Sequence, residues 1–164
     1  MMAVIIAGVL WLWLRDPVPA LRSPERMTIY SLDPRIPVSI KTRRAASAER
    51  FHDYPVLGKV EITKTNQLHE IVKALKKGLV PPILKILGMS ACFIPRHGIR
   101  AIDSGHTIDC VICYECKNID VYVDGRSTYY GPITLNAEPV LARCLGAAGI
   151  KVLPTPLPPL EETQ

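Results

Sequence analysis

A chain of 164 residues with 48% apolar side chains has enough material for one domain with a core of its own, without staples. Its net charge of +5 sits in one place: residues 21 to 50 carry seven basic against three acidic side chains, while residues 51 to 164 carry twelve against eleven. A nucleic-acid-binding face would draw its charge from the folded body, and that body is almost neutral, so the composition argues against a nucleic-acid partner.

Met1 to Leu14 is an uncharged apolar run closed by Arg15-Asp16-Pro17. It is shorter than the ~20 residues that cross a bilayer as a helix, but it matches the apolar core of a signal peptide. Val18-Pro19-Ala20 offers small residues for cleavage, and Trp11 and Trp13 suit a membrane interface if the segment stays attached. The basic residues Arg15, Arg22 and Arg26 follow the run instead of preceding it, the reverse of an ordinary signal. Residues 1–20 are therefore expected to be a signal- or anchor-like segment detached from the core, with the membrane met through residues 1–14. The alternative is a cytoplasmic address, with the run built into the fold.

Residues 21–53 read as a basic, proline-containing linker with one strand, Met27 to Leu32, rich in β-branched and aromatic side chains. The domain proper is expected over 54–151. Val56 to Thr63 alternates loosely as a strand. Asn66 then caps a helix in which Leu68, Ile71, Val72 and Leu75 fall at i, i+3, i+4 and i+7, Lys73, Lys76 and Lys77 complement the C-terminal dipole, and Gly78 supplies the stop. Pro81-Pro82 opens a short apolar turn. Strands follow at Ile99 to Ile102, Thr107 to Tyr114 and Ile119 to Val123, separated by turns at Ser104-Gly105 and Lys117-Asn118 and closed by Asp124-Gly125. Asn136 caps a last helix carrying Val140, Leu141, Cys144, Leu145 and Ala148 on one side, and the proline-rich residues 152–164 form an extended tail. Strands in hairpin order flanked by helices imply an α+β fold: an antiparallel β-sheet with two main helices packed on one face.

The chemistry-capable residues cluster in Cys92-Phe-Ile-Pro-Arg96-His97-Gly98-Ile-Arg100 and Cys113-Tyr-Glu115-Cys116. Three thiols and an imidazole at this spacing can form a Cys3His zinc site from Cys92, His97, Cys113 and Cys116, with the Cys-x-x-Cys pair at a strand-to-turn junction. They can equally form a disulfide from Cys92 to Cys113 or Cys116, closing a loop worth roughly 3 kcal/mol. A redox-active pair is less favoured, since a strand and not a helix follows the motif. Cys110 and Cys144 read as core thiols. Arg96, Arg100 and Glu115 are the ion-pair candidates that would support the cluster. Arg96-His97-Gly98 also matches the nucleophile motif of the histidine phosphatases over five residues, but only 67 residues follow His97, too few for that body. There is no Walker loop, no Gly-x-Ser-x-Gly elbow and no His-Glu-x-x-His helix.

From Leu57 to Ile150 the order VLGKVEI, capped helix, ACFIPRHGIRA, HTIDCVICYEC, IDVYVDG and LARCLGAAGI resembles a group of small bacterial proteins that carry a signal or lipoprotein leader. Their hallmark is C-x-x-PRHG followed by a V-I-C-F/Y-E-C strand. The resemblance implies an extracytoplasmic address and no activity, and this chain departs from it in having no lipid-accepting cysteine in the leader. The reading is a membrane-tethered or exported, non-enzymatic domain with a structural Cys/His cluster and no cofactor. Its alternative is a zinc-binding module or a thiol- and histidine-dependent enzyme.

Overall fold

The computed structural model describes residues 18–35, 49–80 and 92–154 of the chain. The apolar run Met1 to Leu14, most of the basic linker, the Pro81-Pro82 turn and the tail beyond Pro154 lie outside the described residues. Seven strands form one antiparallel, curled sheet: β1 (Arg26–Leu32), β2 (Arg50–Phe51), β3 (Tyr54–Ile62), β4 (His97–Asp103), β5 (His106–Cys113), β6 (Asn118–Val123) and β7 (Arg126–Pro132). The order across the sheet is β2-β3-β1-β4-β5-β6-β7. Strands β4 to β7 are a meander whose tight turns use left-handed backbone, Ser104-Gly105 with φ of 51° and 81° and Asp124-Gly125 with 50° and 77°, the geometry that matches the strand twist. β1, the one strand expected in the linker, is an interior strand of the sheet and pairs with β3 on one side and β4 on the other.

The expected α+β layer with two main helices packed on one face is corrected by this architecture, which is dominated by the sheet. The helices α1 (Thr65–Gly78), between β3 and β4, and α2 (Glu138–Ala147), after β7, have only 14 and 10 residues beside a sheet of seven strands. The surplus of sheet comes from segments that look polar in sequence. β7 opens with Arg126-Ser-Thr, all exposed, and β2 is two residues long. Their backbones are recruited because the strands beside them would otherwise leave unpaired N–H and C=O groups.

Alternation along the strands splits the interior in two. Met27, Ile29, Ile99, Ala101, Ile108, Cys110 and Ile112 join Leu68, Ile71 and Leu75 of α1 and Leu141 and Leu145 of α2 in the main core. Their neighbours Tyr30, Leu32, Phe51 and Val111 form a smaller cluster. Val18 and Leu21 are 2% and 1% exposed and belong to the main core, so the residues read as a cleavage site and its flank are packed against the domain. Neither asparagine caps its helix. Lys64 stands at the N-cap of α1 without a side-chain bond, and a short 3-10 turn (Leu135–Ala137) containing Asn136 precedes α2.

Candidate functional site at the Arg96-His97 end of the sheet

The segment before β4 is held in place from both ends. Leu32 donates its N–H to the Arg96 carbonyl, extending the β1 pairing by one residue beyond His97. Cys92 and Cys116 lie at disulfide distance with Cα atoms 6.0 Å apart, tying the lead-in of the PRHG motif to the turn after β5. Of the two pairings open to Cys92, this selects Cys116. The Cys113 thiol is free and buried; it accepts N–H bonds from Cys116 at 3.0 Å and from Ile94 at 3.4 Å. Burial raises its pKa above the ordinary thiol value.

A cleft of about 400 Å³ opens beside this lacing, lined by Arg96, His97, Tyr114, Glu115, Leu135, Glu138 and the Val152-Leu153-Pro154 strap. Arg96 is 7% exposed and turns one guanidinium nitrogen, Nη1, to Glu115 Oε2 at 2.7 Å. Its other nitrogens, Nε and Nη2, are buried without a hydrogen-bond partner, as are His97 Nε2 and the Tyr114 hydroxyl. Burial first, and the Arg96 charge second, push the His97 pKa down to about 4, so the ring is neutral at physiological pH. The His97 and Tyr114 rings meet edge to face with centroids 5.3 Å apart. Burial also raises the Tyr114 hydroxyl above its ordinary value, so it stays protonated and able to donate.

Strand parity decides which expected site residues meet. His97 pairs in register with Ile112, and both point the way of Ile99 and Cys110, whereas Cys113, one residue on, points the other way with Val111. The Cys3His tetrahedron is therefore not assembled, and among the described residues no group of three or more His, Cys, Asp or Glu side chains is placed to hold a metal. Arg100 likewise faces away from His97. It forms a two-point pair with Asp109, at 2.8 and 2.7 Å, and lies 5.4 Å from the Phe51 ring centroid. Arg96 finds Glu115 as its sequence neighbourhood implies, while His97 Nε2 is buried without a hydrogen-bond partner among the described residues.

Sequence reasoning missed Tyr114, Glu138, Leu135 and residues 152–154 as parts of the site. Tyr114 carried a signal, since it sits within the Cys-x-x-Cys motif and has the same parity as His97. Glu138 and the strap did not, because only the tertiary fold brings them to the mouth. Among the described residues no helix is long and apolar enough to cross a membrane. No protein-family model matches the chain, and neither a curated protein nor a solved structure is significantly similar to it.

Proposed function

We propose that this chain is a disulfide-stabilised, non-enzymatic binding domain that works outside the cytoplasm, exported or tethered through its apolar N-terminal run. The observation that carries the reading is the Cys92–Cys116 pair, which ties the lead-in of the Arg96-His97 segment to the turn after β5 and suits an oxidising compartment. The leader-like composition of residues 1–14 and the resemblance to small exported bacterial proteins point the same way. Binding is preferred to catalysis because the cleft has no general-base arrangement. His97 is 4% exposed, and no carboxylate among the described residues is bonded to its ring to orient it. Fractionation of cells producing the full chain tests the address: recovery with membrane or extracytoplasmic markers is expected, and recovery with cytosolic markers would overturn it.

A second reading, with His97 as a nucleophile or base, has one observation behind it, the absence of any partner for Nε2 in a cleft that also holds Arg96 and Glu138. It predicts hydrolysis of a generic phosphate ester that His97→Asn abolishes. The binding reading predicts no turnover by either protein.

A further inference from the structure

Two arginines of this chain show what the Nε–Nη2 edge of a guanidinium takes here. Arg35 donates from Nε to Asp33 Oδ1 at 2.9 Å and from Nη2 to Asp33 Oδ2 at 2.8 Å. Arg100 does the same to the two oxygens of Asp109, at 2.8 and 2.7 Å. In both, one planar carboxylate closes the whole edge, the match that makes this two-point pairing strong. Arg96 lines the cleft, and among the described residues no carboxylate closes its Nε–Nη2 edge: Nη1 alone is turned to Glu115, and Nε and Nη2 are buried without a partner. Each unsatisfied buried donor is unfavourable, so an acceptor that reached this edge would be stabilised there.

The remaining walls narrow the class of that acceptor. The cleft holds one guanidinium against the two carboxylates Glu115 and Glu138, and Glu138 has no cation partner among the described residues. A ligand carboxylate alone would deepen this negative excess, and a phosphate dianion would deepen it further. An ammonium on the same ligand removes the conflict. Leu135, Leu153 and Pro154 give the mouth an apolar side, and a volume of about 400 Å³ fits a molecule of amino-acid size.

We propose that the cleft binds a small apolar amino acid, its carboxylate spanning Nε and Nη2 of Arg96 and its ammonium facing Glu115 and Glu138. This rests on the reading of the protein as a binding domain and names its ligand class. The cellular address is tested separately, so either conclusion can fail without the other.

Calorimetric titration of the purified full-length protein decides it, with L-leucine, L-valine, L-methionine and L-phenylalanine as probes. The controls are 4-methylpentanoate (no amine), L-leucinamide (no carboxylate) and inorganic phosphate. At least one amino acid should bind, with both leucine analogues about tenfold or more weaker than leucine and phosphate silent. Arg96→Lys keeps the charge but removes the planar fork, and should weaken the best amino acid by about tenfold or more. Glu138→Gln should narrow the gap between leucine and 4-methylpentanoate. The proposal is overturned if no amino acid binds, if phosphate binds instead, if leucinamide matches leucine, or if a folded Arg96→Lys protein binds as the parent does. Should that variant fail to fold, the ligand series on the parent protein decides alone.

Discussion

His97 is the residue whose surroundings have the most direct thermodynamic consequence. Its pKa falls from 6.5 to about 4 in the folded chain, chiefly through burial. Between those values the unfolded chain binds a proton that the folded one refuses, so stability is full above pH 6.5, declines as the pH drops to about 4, and is flat below. The shift corresponds to about 3 kcal/mol at one neutral-to-charged site. Lowered carboxylates act in a different window. The two-point bond from Arg35 lowers Asp33, and at Asp109 the hydrogen bonds from Arg100 and His52 outweigh burial, so their contributions are lost only as the pH falls below 3.8. Urea midpoints measured from pH 7.5 to 4 should decline for the parent and stay nearly level for His97→Asn. Equal slopes for the two proteins would show that His97 is protonated in the fold. The free thiols differ in the same local way. Cys110 is fully buried and pushed up to about 12, Cys113 is buried, and Cys144 is half-buried. Alkylation of the native protein should label Cys144 first, and Cys110 and Cys113 only on unfolding; early labelling of Cys113 would mean that the turn after β5 opens readily.

At the scale of elements, Gly98 shows how a motif residue can be right for another reason. An Arg-His-Gly triplet suggests a turn in which glycine relieves the backbone, yet Gly98 lies within β4, paired with Val111, and has no positive φ. What requires glycine is the Phe51 ring: a Cβ at position 98 would meet its Cδ1 at 2.6 Å and Cε1 at 2.8 Å. Gly98→Ala should therefore destabilise by about 1–3 kcal/mol through overpacking, and Phe51→Leu should recover part of the loss in the double variant. Strictly additive losses would contradict this. Asp103, at the end of β4, accepts the N–H groups of Arg22 at 2.6 Å and Ser23 at 2.7 Å and so pins the segment that carries Val18 and Leu21 into the core. Asp103→Ala should cost about 2–3 kcal/mol, and a chain begun at Ser23 should melt lower still, since it also uncovers apolar core. Unchanged melting of both would place residues 18–23 outside the folded unit.

These elements also show what could be read in advance. The α1 periodicity was legible because Leu68, Ile71, Val72 and Leu75 all face inward, and the β4–β5 hairpin and the end of β6 because their turns are written in Ser104-Gly105 and Asp124-Gly125. β7 was not legible, since its exposed Arg126, Ser127 and Thr128 carry no apolar alternation and its pairing depends on β6 alone. The cleft was half legible. Arg96 and Glu115 are close in sequence on neighbouring elements, but the partition of Cys113 away from His97 follows from a register that only the β4–β5 pairing sets.

For the whole molecule, the curled sheet with β4 at its centre places the start of β4 and the end of β5 side by side, and the Cys92–Cys116 pair locks that end, where Arg96 and His97 line the cleft. The lock spans 24 residues, a closure that stabilises by roughly 3 kcal/mol, so Cys92→Ser should lower stability by about that amount. It should also loosen the cleft, because the PRHG lead-in then loses its covalent tie and keeps only the bonds from Leu32 to Arg96 and from Ile94 to Cys113 and the Arg96–Glu115 pair. The proposed address outside the cytoplasm depends on that pairing, and so does the anchoring of the Arg96-His97 lead-in to the turn after β5. The direct measurement is peptide mapping of the natively purified full chain, alkylated before digestion and kept unreduced. The account predicts a Cys92–Cys116 linked peptide with Cys110, Cys113 and Cys144 recovered as single thiols. A Cys113–Cys116 link, or five alkylated thiols together with bound zinc in the native mass, would contradict it.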